Sequence, residues 1–158
     1  VSQSLIAKTE SRKIVPTYNK TKALFDSLER LERKKDVQVR KLIKKEIIAV
    51  QNNDSVKNAI QIMAEQGFSQ LPVFKGDLSV GHISEKIILN QVSAGKDLDQ
   101  ISKLMVDDLM GEAFPQISPN APLSVASNLL KVYSAILIYQ KGRVIGILTK
   151  ADLLRIFL

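Results

Sequence analysis

Phe68-Ser69-Gln70-Leu71-Pro72-Val73-Phe74 is matched 65 positions later by Tyr133-Ser134-Ala135-Ile136-Leu137-Ile138-Tyr139. Gly81-His82-Ile83-Ser84 is matched at the same spacing by Gly146-Ile147-Leu148-Thr149. Upstream, Val50, Val56, Ala59 and Met63 match Ile117, Leu123, Ala126 and Leu130 at an offset of 67, so the second copy is two residues shorter before its central strand. One such unit closes a core poorly by itself, whereas two can bury faces against each other. The duplication therefore predicts a quasi-twofold crevice between copies, where a ligand would most naturally sit.

Within each copy the periodicities predict the same order of elements. In the first they read as a short strand Ile47 to Val50, a helix Ser55 to Gln66, and a strand Gln70 to Phe74. A turn at Lys75-Gly76-Asp77, a strand Leu78 to Ile83 and a helix from Ser84 follow. Val92 to Lys96 reads as a loop and Leu98 to Met110 as one helix. The second copy repeats the order with an extended Pro115 to Ile117, a helix Leu123 to Lys131 and a strand Ala135 to Tyr139. Its turn is Lys141-Gly142, its last strand Val144 to Leu148, and its last helix opens at Thr149. Strands alternating with helices predict an α/β (α+β) architecture. Ahead of the copies, Ser2 to Glu10 and Asn19 to Lys35 read as helices, the second carrying a Leu24, Leu28, Leu31 stripe.

Charge separates the front of the chain from the rest. Residues 1–45 hold 13 Lys/Arg against 5 Asp/Glu, and residues 46–158 hold 10 against 11. All the excess positive charge precedes the duplication. That asymmetry fits a polyanion contact, and equally a solvated helical face whose C-terminal Arg30, Arg33, Lys34 and Lys35 suit the helix dipole.

Several chemistries are poorly supplied. No apolar run approaches the ~20 residues that span a bilayer, and Val1-Ser2-Gln3-Ser4 leads into a charged stretch, which predicts no signal peptide. Cysteine is absent, so disulfides and thiolate metal sites are excluded and a cytoplasmic location is expected. A single histidine, His82, argues against a zinc centre and against histidine general-base chemistry. The seven glycines are scattered, with no phosphate-binding glycine loop. Asp107-Asp108 would point to different sides of a helix and read as a solvated face. No enzyme activity and no required cofactor are expected.

Thr149 and Asp152 follow a strand and open a helix. Thr-x-x-Asp is a capping box in which hydroxyl and carboxylate satisfy backbone amides. The same geometry suits a ligand, because a carboxylate there can accept from both hydroxyls of a ribose. The polar turn recurs at the mouth of the expected crevice, which favours the ligand reading. In the first copy the positions are Ser84 and Ile87, so the cap survives and the diol acceptor is missing.

These residues carry a family resemblance. Ile47 to Leu89 and Phe114 to Leu154 resemble a tandem pair of cystathionine-β-synthase-type (CBS) domains, or Bateman module. The matching features are the hydrophobic-Ser-x-Leu-Pro-Val strand, Phe68 to Val73, and the Gly-h-h-Ser/Thr-x-x-Asp turn, Gly146 to Asp152. The resemblance implies two βαββα domains related by a pseudo-twofold, residues 41–97 and 98–158, behind a basic helical segment, residues 1–40. It also implies a homodimer and a regulatory site for AMP, ADP, ATP or S-adenosylmethionine. Carried over by position, that site would use Thr149, Asp152 and Ile147 with Ile48, Phe68, Ser69 and Gln70. A weaker sister site would use Ser84 and His82 with Pro115, Tyr133, Ser134 and Ala135. Ile87 in place of Asp, and the missing Pro in Ile136-Leu137-Ile138, are departures that bear on the sister site.

Val1 to Ser11 resembles the recognition helix of a Cro/C1-type helix-turn-helix, and Pro16 to Leu31 the helix after it. That resemblance implies DNA contacts by Ser2, Gln3, Ser4 and Lys8, with Gln able to read adenine bidentately. The two bracing helices do not precede it, so the expectation is a remnant of that fold. Together the two resemblances imply a parent of the kind seen among archaeal and bacterial CBS-containing transcriptional regulators.

Overall fold

The computed structural model describes residues 18–32, 37–43 and 46–155. Its elements are α1 (Tyr18–Glu32), a 3-10 helix (Val39–Leu42), β1 (Val50–Gln51), α2 (Val56–Gln66), β2 (Gln70–Lys75), β3 (Leu78–Ser84) and α3 (Glu85–Ser93). There follow α4 (Leu98–Ser102), α5 (Val106–Leu109), β4 (Gln116–Ile117), α6 (Leu123–Val132), β5 (Ala135–Gln140), β6 (Arg143–Thr149) and α7 (Lys150–Leu154). The fold is mixed α+β, with two three-stranded sheets ordered β1-β2-β3 and β4-β5-β6.

The two sheets are copies down to their irregularities. Each pairs its first two strands in parallel across a helix and its last two as an antiparallel hairpin. Each ladder shifts register at the matching place, Val73/Phe74 in one and Ile138/Tyr139 in the other. The hairpin turns differ: Lys141 (φ 50°) and Gly142 (φ 84°) are both left-handed, the backbone that a type I′ turn requires. In the first copy Gly76 is left-handed at φ 60°.

Local chemistry accounts for the helix limits. Ser55 Oγ accepts the Asn58 amide at 3.1 Å and opens α2, and Gly67 closes it in the left-handed region with its N–H on the Met63 carbonyl. Val56, Ala59 and Met63 form the buried stripe of α2, and Leu123, Ala126 and Leu130 that of α6. They are the residues that the 67-residue offset superposes.

Two compact units result. One is Ile47–Phe114; the other joins the described residues up to Glu46 with those from Pro115 onward. The core of the first is Val50, Val56, Ala59, Met63, Leu71, Val73, Ile83, Ile88, Ile101 and Val106. The core of the second gathers Leu24, Phe25 and Val39 with Leu123, Leu130, Ile136, Ile138, Leu148, Leu153 and Leu154.

Three sequence expectations need correction. Residues 98–110 are not one helix: α4 and α5 are separated at Lys103–Met105. The cause is docking, because the Leu104 carbonyl accepts the Val56 amide at 2.9 Å and the Val106 and Asp107 amides bond to Asp54 and Asn52 carbonyls at 2.8 and 2.9 Å. Helix α3 runs through Ser93, beyond the expected loop start at Val92. Strand β1 is Val50–Gln51, later than Ile47 to Val50. The basic helix is α1 as far as Glu32, and Phe25 lies beside Leu24 in the core. The expected helix at Ser2 to Glu10 lies outside the described residues.

The docking contact is itself duplicated. In the other unit the Val37 carbonyl accepts the Leu123 amide at 3.0 Å, and the Val39 and Arg40 amides bond to Ala121 and Pro119 carbonyls at 3.1 and 2.9 Å. Every donor and acceptor is displaced by 67 from its counterpart. Residues 37–43 and 104–110 are thus a further repeated element, Val-Gln-Val-Arg-Lys-Leu-Ile against Leu-Met-Val-Asp-Asp-Leu-Met. Each packs away from the unit into which it leads. Residues 37–43 precede Ile47 yet belong with the unit containing α6, and residues 104–110 precede Pro115 yet belong with the unit containing α2.

Candidate functional site

In each unit the residues singled out from sequence collect where the central hairpin meets the following helix. In the second-repeat unit Ala135 pairs with Thr149 and Leu137 with Ile147, while the Pro115 carbonyl accepts the Leu137 amide at 2.8 Å. Tyr133 and Ser134 directly precede β5 and are exposed. In the first-repeat unit Gln70 pairs with Ser84, and the Ser69 carbonyl accepts the Glu85 amide at 2.9 Å. Phe68 and Ile48 are half-buried there. So Thr149, Asp152 and Ile147 share a unit with Pro115, Tyr133, Ser134 and Ala135. Ile48, Phe68, Ser69 and Gln70 share the other with His82 and Ser84.

Asp152 is 1% exposed. Its Oδ2 accepts the Thr149 amide at 2.9 Å and the Thr149 hydroxyl at 2.9 Å. A buried carboxylate is costly unless hydrogen-bonded, and these two bonds supply the compensation while closing the first turn of α7. The Arg155 guanidinium lies 3.8 Å from Oδ1. The capping role of the Thr149–Asp152 pair is therefore what the geometry contains, and it holds the carboxylate in one orientation at the end of β6.

Ser84 behaves differently because residue 87 is Ile. With no carboxylate to donate to, its hydroxyl accepts the Ile87 amide at 3.2 Å as a simple N-cap. His82 lies two residues earlier and is half-buried. Its ring is engaged with the stretch that follows α5: Nδ1 is 2.6 Å from the Glu112 carbonyl, and the ring stacks on Phe114 at 4.8 Å between centroids. A bond to a carbonyl requires the proton on Nδ1. The backbone adds His82 N–H to the Gly111 carbonyl at 3.2 Å and the reverse bond at 2.9 Å. Sequence reasoning missed this clasp, although Gly81 and Gly111 both lack the side chains that would obstruct it.

Among the described residues no group of three or more His, Asp or Glu could hold a metal ion, and no helix is long and apolar enough to cross a membrane. Asp107 and Asp108 are both exposed, with Asp108 Oδ2 accepting the Met105 amide at 3.1 Å. Ser2, Gln3, Ser4 and Lys8 lie outside the described residues.

Two three-stranded units with matched strand pairing and matched docking segments define a duplicated α+β module. The chain belongs to the CBS domain family, whose model matches residues 39–94 and 106–158. It is 28% identical over 99 residues to cystathionine beta-synthase of Dictyostelium discoideum, a match covering 61% of this chain and 20% of that enzyme. The chain spans a fifth or less of the curated relatives it matches. Its fold is similar to that of protein MJ1225 of Methanocaldococcus jannaschii, called a candidate archaeal homolog of g-AMPK. There the TM-score is 0.72 and identity 18%, covering 85% of this chain and 53% of that one. It is also similar to CBSX2 in complex with AMP, at a TM-score of 0.62 and 22% identity, covering 76% of this chain and 95% of that one. At these identities the likeness to solved structures is one of fold.

Proposed function

We propose that the chain is a regulatory module that senses an adenosine-containing ligand, AMP, ADP, ATP or an adenosyl relative such as S-adenosylmethionine, and performs no catalysis itself. The observation that carries this reading is the buried, oriented Asp152 carboxylate at the end of β6 beside Thr149, where a ribose diol would be accepted. The bound AMP named for CBSX2 supports the ligand class. The ligand-contacting residues proposed are Thr149, Asp152 and Ile147 in the second repeat, and Ile48, Phe68, Ser69 and Gln70 in the first. The sister set of Ser84, His82, Pro115, Tyr133, Ser134 and Ala135 is the weaker site, because Ile87 offers no acceptor and His82 is engaged with residues 111–114.

Titration calorimetry with AMP tests this reading. Asp152→Ala, checked for folding by circular dichroism, is expected to lose tenfold or more in affinity, about 1.4 kcal/mol. Asp152→Asn can still accept the Thr149 amide, so it isolates the charge from the cap. Undiminished binding by both variants rejects the assignment.

In a longer parent the module would bias a transcription-factor domain as a homodimer in the cytoplasm. A second reading rests on the +8 balance of residues 1–45: that segment binds nucleic acid directly, with the repeats as a dimerisation platform. An electrophoretic shift with and without residues 1–45 separates the two. Direct binding would weaken steeply with salt as counterions are released, whereas no shift leaves the sensor reading alone.

A further inference from the structure

We propose that helix α1 is the reporting element of the second-repeat site, coupled to it through the inward residues of α7. This rests on the adenosyl reading above. Helix α7 carries Asp152 toward the cap and places the next two residues, Leu153 and Leu154, in the core, at 0% and 3% exposure. That core also contains Leu24 and Phe25 of α1 and Val39 of the docking segment. Phe25 is 3% exposed, and the Lys131 ammonium of α6 lies 5.7 Å from its ring centroid. Helix α1 itself packs on α6, which α7 also touches, so the cap reaches the α1 seat through the core that Leu153 and Leu154 share with Leu24 and Phe25.

A packed core is stiff on the scale of a methylene group. A ligand that draws the Asp152 carboxylate toward a diol must shift or brace α7, and Leu153 and Leu154 move with it. Among the described residues, the buried core of the first repeat contains none from α1. Occupancy at Asp152 would thus change the order of α1, the last described element before the basic residues 33–35. By linkage, loosening α1 must weaken the ligand by the same factor.

Hydrogen exchange on the full 158-residue chain, with and without saturating AMP, reads this directly. Amides of Tyr18–Glu32 are expected to exchange about fivefold or more slowly with AMP, in step with those of Lys150–Leu154, as a coupling of ordinary size would give. Phe25→Leu keeps the seat apolar and is expected to lower AMP affinity about fivefold without unfolding the chain. Slowing confined to Lys150–Leu154, or unchanged affinity in Phe25→Leu, overturns the coupling and leaves the site standing. If the wild-type chain does not bind AMP, or both Asp152 variants bind as well as wild type, the adenosyl reading falls and the coupling with it.

Discussion

A chain beginning at Glu46 is expected to lose the folded second-repeat unit, although every residue of β4, α6, β5, β6 and α7 would still be present. Deletion removes Leu24, Phe25 and Val39 from a core in which they are 5%, 3% and 0% exposed. Burial of side chains of this size stabilises by about 1.5–3 kcal/mol each, so the three contribute roughly 5–9 kcal/mol by area, an upper estimate. Total stabilities of single domains lie around 5–15 kcal/mol. The deletion also removes the Val37 carbonyl that accepts the Leu123 amide, at a helix whose N-cap is Pro122 and has no capping side chain. Hydrogen exchange should show residues 115–155 unprotected in the shortened chain and residues 56–109 still protected. A chain beginning at Tyr18 is the control and should unfold like the full chain. Equal protection in both short forms would refute the docking account.

This dependence shows where the sequence was readable and where it was not. The hairpins were legible because Leu71–Phe74 and Ala135–Ile138 are continuous apolar runs, buried throughout, and because Gly76 and Lys141-Gly142 mark the turns. The helices α2 and α6 were legible from their buried stripes. The docking segments were also written in the sequence, at the 67-residue offset that had already matched Val50 to Ile117. They stay hidden there because Arg40-Lys41 stands against Asp107-Asp108, so charge conceals the shared Val39/Val106 and Leu42/Leu109. No periodicity can reveal that each segment serves the unit it does not precede, since repetition reports equivalence and not adjacency.

The site divides in the same way. The Thr149-x-x-Asp152 cap was legible as chemistry, because a hydroxyl and a carboxylate three residues apart at a helix start have few other arrangements. That one carboxylate oxygen takes both Thr149 bonds was not. Strand alternation puts His82 and Ser84 on one face of β3, but it could not show that residues 111–114 cover the imidazole. The contrast between Ser84 and Thr149 follows from one position, Ile87 against Asp152. It gives the Thr149 hydroxyl a carboxylate to donate to, where Ser84 only accepts the Ile87 amide.

Gly81→Ala is expected to be the most damaging single methyl addition in the first-repeat unit. A Cβ there would lie 2.7 Å from the Gly111 carbonyl oxygen and 2.7 Å from the Met110 sulfur. The sulfur sits on a flexible side chain and can withdraw. The carbonyl cannot withdraw cheaply, because it accepts the His82 amide and its own residue donates to the His82 carbonyl. Relief therefore requires lifting residues 110–114 away from β3, which gives up the His82–Glu112 bond and the Phe114 stack. Overpacking of this kind costs about 1–3 kcal/mol, and the upper end applies where the obstruction is backbone. For a unit of this size such a loss lowers the melting temperature by roughly 10–20 °C. Gly76→Ala provides the comparison, since open space surrounds it and only its φ of 60° resists a side chain, a backbone cost of about 1–2 kcal/mol. The two differ in where the damage appears. Gly81→Ala should expose the amides of Gly111 and His82 to exchange, and Gly76→Ala should leave that clasp protected. If Gly81→Ala melts with the wild type and keeps those amides protected, Gly111 and β3 do not meet as closely as the clasp requires.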